Sequence, residues 1–114
     1  MPNDVEIEDL LNQLKFKLEF FGYEFSRERR ENKETMKQLG LSMLNVKRIL
    51  SELTPENYSE GPVKDAEEGG FYWVFGTEID NKEIYIKINL GKENRKVICY
   101  SFHFAKSKMN FPKK

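Results

Sequence analysis

Three segments in the last third of the chain alternate large apolar with polar residues and are separated by turn-forming residues. They run over Phe71 to Ile79, Lys82 to Leu90 and Arg95 to Phe104. A period of two is typical of strands that bury one face. The connections Asp80-Asn81 and Gly91 to Asn94 are rich in residues that favour hairpins. The sequence therefore predicts an antiparallel meander of three strands.

Helical spacing dominates the first half of the chain. Apolar residues from Val5 to Phe21 recur at steps of three and four, which predicts an amphipathic helix. A second helix is predicted over Lys33 to Leu39, ending at Gly40, and a third begins after the N-cap Ser42 and ends before Pro55. Helices followed by strands indicate an α+β fold, with the helices packed on one face of an antiparallel sheet.

The segments between these elements are less regular. Tyr23 to Arg27 alternates and predicts a short strand before the charge run Glu28 to Lys33. The overlapping run Arg27 to Arg30 is of a kind that is usually a solvated turn. Residues 54–70 combine proline, glycine and acidic residues, which is typical of a long loop.

Length and composition exclude several classes of protein. A chain of 114 residues suits a single domain, residues 1–114. Its one cysteine, Cys99, makes no intrachain disulfide, and one cysteine with one histidine cannot supply a zinc site of those ligands, so we expect no metal and no cofactor. No apolar run reaches the roughly 18 residues of a membrane span, and the acidic start lacks a signal-peptide layout. We expect a cytoplasmic protein without membrane contact.

The formal net charge is zero, but the charges are unevenly distributed. Residues 1–80 hold 10 Lys and Arg against 17 Asp and Glu, a net −7, whereas residues 81–114 hold 9 against 2, a net +7. The basic third is compatible with a polyanionic partner such as RNA. Mutual neutralisation of two halves of one domain explains the charges equally well.

Strand alternation groups a small set of reactive side chains. In the middle strand Tyr85 and Lys87 share the face opposite three isoleucines. In the last strand Ser101 and His103 share one face with Val97 and Cys99. If the apolar faces of both strands pack on the same helices, the four polar side chains lie on one surface. A histidine, a tyrosine and a lysine together can transfer protons and stabilise a phosphate. Taken singly, such residues more often have structural or solubilising roles.

Further residues are candidates for contacts with RNA. Arg27 and Arg29 fit phosphate contacts, although such a charge run is more often a solvated turn. Trp73 fits stacking on a base, although packing in the core is the simpler interpretation. Lys106 and Lys108 lie in a tail without interleaved carboxylates, which favours contacts with a nucleic-acid backbone.

Short stretches between residues 23 and 105 resemble, in the same order, the motility quorum-sensing regulator (MqsR) family of type II toxins. The matching stretches are Leu39 to Ser42, Glu56 to Pro62 with Asp65, Tyr72 to Gly76, Glu83 to Ile88, and Val97 to His103. The resemblance implies a RelE-like α+β fold and an endoribonuclease that cuts mRNA without a metal. It also implies a cognate antitoxin as protein partner and brings in the ribosome as a candidate partner.

The resemblance assigns roles residue by residue. Tyr85 and Lys87 match the family's active-site strand, and His103 stands where the best-known member has a lysine. Ser59 and Val74 stand where the family has a proposed catalytic lysine and glutamine. The expected chemistry is attack by the RNA 2′-hydroxyl. His103 acts as acid or base, Tyr85 orients the substrate or donates a proton, and Lys87 stabilises the pentacovalent phosphate.

Two interpretations compete with an enzyme. The chain could be a non-catalytic module that binds RNA or a protein through its basic C-terminal third. It could also be a purely protein-binding relative of the toxins, in which the acidic residues 60–68 dock a basic antitoxin.

Overall fold

The computed structural model describes residues 1 to 114 and contains three helices and five strands. In chain order these are α1 (Asp4–Phe20), β1 (Tyr23–Phe25), α2 (Arg29–Leu39), α3 (Met43–Ser51), a 3-10 turn (Pro55–Asn57), β2 (Tyr58–Lys64), β3 (Phe71–Ile79), β4 (Lys82–Asn89) and β5 (Val97–Phe104). The prediction of an α+β fold is confirmed, and the three predicted C-terminal strands are present within two residues of their expected ends.

The five strands form one sheet in the order β1-β5-β4-β3-β2. The meander β3-β4-β5 is antiparallel as predicted, and Asp80 and Asn81 both have the positive φ of a tight hairpin turn. β1, however, runs parallel to β5, so the sheet is mixed and the prediction of a purely antiparallel sheet is wrong at this edge. A strand of three residues carries no pattern that could indicate its direction.

The opposite edge of the sheet also differs from expectation. β2 lies within the segment 54–70 that was predicted to be a loop, and it pairs antiparallel with β3. Gly61 and Pro62 are tolerated because β2 is an edge strand with two register shifts, where a missing N–H or a bulge costs little. Pro and Gly therefore marked an irregular edge strand rather than a loop.

The helix ends follow from capping residues. Asn3 forms a capping box with Glu6 at the start of α1, and Ser42 forms one with Asn45 at the start of α3. Gly40 ends α2 in the left-handed conformation, with φ +68°. The predicted boundaries at Gly40 and Ser42 are confirmed.

α2 begins four residues earlier than predicted, because the charge run is its first turn rather than a solvated turn. The prediction missed this turn because Asn32 is buried but polar, so a search for apolar periodicity does not detect it. Its amide donates to the carbonyl of Tyr100 at 3.1 Å and accepts from the N–H of Phe102 at 2.8 Å. Beyond the end of β1, the Asn32 side chain makes the hydrogen bonds to the β5 backbone that a neighbouring strand would otherwise make. α2 lies along this edge of β5.

The hydrophobic core lies between α1, α3 and one face of the sheet. Ile84, Ile86 and Ile88 of β4 are fully buried there, as the alternation predicted, together with leucines of α1 and Val46 of α3. The opposite face of β3, β4 and β5 carries Tyr85 and Lys87; we call it the site face. No helix of the protein has the length and apolar character needed to cross a membrane.

Candidate functional site

Two pairs of predicted residues lie side by side on the site face. Tyr85 is directly opposite His103, and Lys87 is directly opposite Ser101. The rings of Tyr85 and His103 stack, with centroids 5.7 Å apart and planes inclined by 16°. The structure thus brings together all four side chains that strand alternation grouped.

A bulge in β5 changes which residues accompany them. The register shifts between the pairs Lys87–Ser101 and Ile88–Cys99, which leaves Tyr100 as an extra residue. Cys99 therefore lies in the core rather than on the face of Ser101 and His103, and strict alternation was wrong beyond this point. Burial raises the pKa of the Cys99 thiol, which fits an inert core residue.

His103 is almost fully buried and faces two carboxylates of the α2 N-terminus. Its Nδ1 lies 3.0 Å from the carbonyl oxygen of Phe104, which can only accept, so Nδ1 carries a proton. Its Nε2 lies 3.2 Å from Oε2 of Glu28 and 3.7 Å from Oε2 of Glu31. Because a carboxylate also only accepts, Nε2 makes a hydrogen bond to Glu28 only when His103 is an imidazolium.

Glu28 is held in place from two sides. Besides His103, the hydroxyl of Ser101 donates to Oε2 of Glu28. Burial alone would raise the pKa of Glu28, but the hydrogen bonds from Ser101 and His103 outweigh burial and lower it. Glu28 is therefore ionised at neutral pH, and it forms with His103 an acid-base pair at the floor of the site.

Two adjoining cavities open on the site face, with volumes of about 450 Å³ and 390 Å³. Glu28 and Tyr85 line both, while His103 lines the smaller and Lys87 the larger. Burial raises the pKa of Tyr85, and nearby Glu60 adds to this effect, so its hydroxyl stays protonated and can donate. Tyr85 thus lies between the Glu28–His103 pair and the ammonium of Lys87.

Lys87 contacts two aromatic rings, and a buried carboxylate lines the same cavity. Its Nζ lies 4.1 Å from the ring centre of Tyr72 and 5.3 Å from that of Tyr100. Asp65 lines the same cavity and accepts from the hydroxyl of Tyr100 at 2.6 Å and from the amide of Asn89 at 2.9 Å. This network fixes the shape of the larger cavity.

The C-terminal segment (residues 105–114) forms one wall of the smaller cavity. Lys106 and Lys108 line it, and Lys106 also pairs with Glu31 at 3.4 Å. The segment packs closely on β3, since a Cβ added at Gly76 would lie 2.7 Å from Sδ of Met109. Gly76 therefore allows this wall to form.

The two positions that depart from the MqsR pattern also line the smaller cavity. The hydroxyl of Ser59 donates to the carbonyl of Asn110 at 2.7 Å, and Val74 is 1% exposed. Neither side chain offers a charged group to a ligand. The charged and titratable side chains that line this cavity belong instead to Glu28, Glu60, His103, Lys106 and Lys108.

Of the other residues predicted to contact RNA, only Arg27 lines one of the two cavities; Arg29 and Trp73 do not. Arg27 has a strained φ of +77°, lines the larger cavity and pairs with Glu67 across it. Arg29 lines neither cavity, and its Nε donates to the carbonyl of Phe25 at 3.0 Å. Trp73 is on the core face of the sheet, opposite Ile88 and edge-on to Tyr58, so it is not part of this site.

Sequence reasoning missed four residues of the site as functional groups. These are Glu28, Glu31, Asp65 and Tyr100. The spacing of three between Glu28 and Glu31 places them on neighbouring turns once α2 is known to begin at Arg29. Tyr100 joins the site only through the bulge, which left no signal in the sequence.

The chain was compared with protein-family models, with curated proteins and with solved structures. None of the three comparisons found a match.

Proposed function

We propose that the protein is a metal-independent endoribonuclease that cuts RNA through its 2′-hydroxyl. The observation that carries the proposal is the contact of 3.2 Å between Nε2 of buried His103 and the carboxylate of Glu28, beside Tyr85 and Lys87. A carboxylate paired with an imidazolium supplies both a proton acceptor and a proton donor.

The chemistry uses this pair for both proton transfers. The 2′ oxygen bonds to the adjacent phosphorus while the P–O5′ bond breaks, giving a 2′,3′-cyclic phosphate and a 5′-hydroxyl. Glu28 takes the proton of the 2′-hydroxyl, and Nε2 of His103 gives its proton to the 5′ oxygen. A proton shift across the 3.2 Å contact then restores the starting state.

The surrounding groups act on the charge that develops at phosphorus. The ammonium of Lys87 and the protonated hydroxyl of Tyr85 line the same cavity and stabilise the negative charge of the pentacovalent phosphate. Lys106 and Lys108 lie on the wall of the adjoining cavity, where they contact neighbouring phosphates of the strand.

The resemblance to MqsR toxins supports the same proposal from the sequence, since Tyr85 and Lys87 stand at the family's active-site positions. In this proposal the fold is RelE-like, the substrate is mRNA in the cytoplasm, and a cognate antitoxin holds the enzyme inactive. The ribosome is included as a candidate partner that presents the mRNA.

The proposal is tested by removing the nucleophile from the substrate. After a cleavage position has been mapped in a labelled RNA oligonucleotide, a second oligonucleotide carries a 2′-deoxy residue at that position. We expect cleavage there to disappear while other positions are still cut, and the fragments to end in a cyclic phosphate. Cleavage that continues at the deoxy position would contradict attack by the 2′-hydroxyl.

A second candidate function is RNA binding without cleavage. The observation that favours it is that Ser59 and Val74 supply no catalytic group at two positions where the MqsR pattern has one. In that case the oligonucleotide stays intact, and its affinity for the protein falls steeply as salt is raised.

A further inference from the structure

We propose that Glu28, Glu31 and His103 form a binding site for one divalent transition-metal ion, with Zn²⁺ as the best-matched ion. One ligand atom from each of these residues lies within 4.8 Å of the other two. The site itself depends on geometry alone, and only its effect on RNA cleavage rests on the proposed function.

The distances fit a metal ion. Ligand atoms about 2.1 Å from a tetrahedral zinc lie roughly 3.4 Å from one another. Nε2 of His103 lies 3.2 Å from Oε2 of Glu28 and 3.7 Å from Oε2 of Glu31, values on either side of that separation. A small movement of the half-exposed Glu31 side chain completes a three-ligand site with an open position toward the cavity.

An independent observation points to a cation at this place. His103 is 6% exposed, and its Nδ1 proton is fixed by the carbonyl of Phe104. With neutral imidazole, the Nε2 lone pair therefore faces two carboxylates and has no donor. A metal ion at this point would bind the Nε2 lone pair and both carboxylates at once.

The hydrogen bonds that hold the ligand side chains are of the kind found in metal sites. A metal-binding histidine usually donates its other ring N–H to a carbonyl or carboxylate, as His103 donates to Phe104. Ser101 donates to Glu28 and holds that carboxylate toward Nε2. The imidazole nitrogen selects zinc-like ions over Mg²⁺, which prefers oxygen ligands.

Two cations compete with the metal ion. One is the Nε2 proton, which the proposed cleavage requires, so a bound metal ion inhibits cleavage by the same residues. The other is Lys106, whose Nζ lies 3.4 Å from Oε2 of Glu31. Lys106 is 72% exposed and can leave without disturbing the fold.

The test is calorimetric titration of Zn²⁺ into the chelator-treated, dialysed chain, produced without a histidine tag. We expect one equivalent to bind, and Glu31→Gln or His103→Gln to weaken binding by at least about 10-fold. Glu34→Gln, on the next turn of α2, is the matched control and should not change the affinity. Lys106→Ala should tighten binding, a result that a purely structural role of the cluster does not predict.

Absence of one-equivalent binding, or equal affinity in the Glu31→Gln and Glu34→Gln variants, would overturn the site. Mg²⁺ binding with the same affinity would overturn its assignment to a transition metal. The proposed function fails separately: RNA left intact by the metal-free chain speaks against the nuclease even if Zn²⁺ binds. If RNA is cut in EDTA and bound Zn²⁺ does not slow cleavage, His103 does not serve both in cleavage and in metal binding.

Discussion

Replacing His103 with alanine is expected to lower the rate of RNA cleavage by about 100-fold or more, the usual contribution of a general acid or base. The structure places its Nε2 against Glu28 in a cavity next to Tyr85, and no other histidine is present to replace it. The measurement is the single-turnover rate on a labelled oligonucleotide in EDTA.

Loss of activity must be separated from loss of fold, because His103 is buried. His103→Gln is the second variant, since its amide can still donate to Glu28 but cannot transfer a proton. We expect it to fold, as judged by circular dichroism and thermal unfolding, and to be as impaired as His103→Ala. Lys37→Ala, an exposed cation of α2, is the control. A folded His103→Gln variant with the native rate would eliminate the proposed role of His103.

Asp65→Ala is expected to reduce the free energy of unfolding by roughly 2 to 3 kcal/mol, because it leaves buried donors without an acceptor. Asp65 is 8% exposed and accepts from the Tyr100 hydroxyl and the Asn89 amide, with further hydrogen bonds from the backbone of Glu67 and Glu68. Urea unfolding measures the loss. Glu68→Ala, in the same loop, is the control and should change stability by less than about 0.5 kcal/mol.

The contribution of Asp65 should also depend on pH. Burial alone would raise its pKa, but the hydrogen bonds from Tyr100, Asn89 and the Glu68 N–H outweigh burial and lower it. A group with a lowered pKa stabilises the folded state above its unfolded value of about 3.9, and this contribution is lost as the pH falls through the folded value. The difference in free energy of unfolding between the native chain and Asp65→Asn should therefore decrease below about pH 4. A difference that does not change with pH would contradict a stabilising role for the ionised Asp65 carboxylate.

The sequence determined the regular parts of this fold. The isoleucines of β4 alternate without interruption, so both the strand and its buried face were predictable. Ser42 and Gly40 marked helix ends because capping and the left-handed conformation favour those residue types. The grouping of Tyr85, Lys87, Ser101 and His103 followed from the same alternation.

The rest of the site depends on features that simple patterns do not carry. Asn32 and Asp65 are buried polar residues, and their burial is explained only by partners distant in sequence. The β5 bulge moves Tyr100 to the site face without any local signal. Glu28 was assigned to a solvated charge run, and its partnership with His103 appears only once α2 is placed along the edge of β5.

The measurement that tests the central claim most directly is incubation of the purified chain with a labelled single-stranded RNA in excess EDTA. The account predicts fragments that end in a 2′,3′-cyclic phosphate, and no such fragments from the His103→Gln variant. RNA that remains intact in EDTA, and also in a separate assay on translating ribosomes with Mg²⁺, would contradict it.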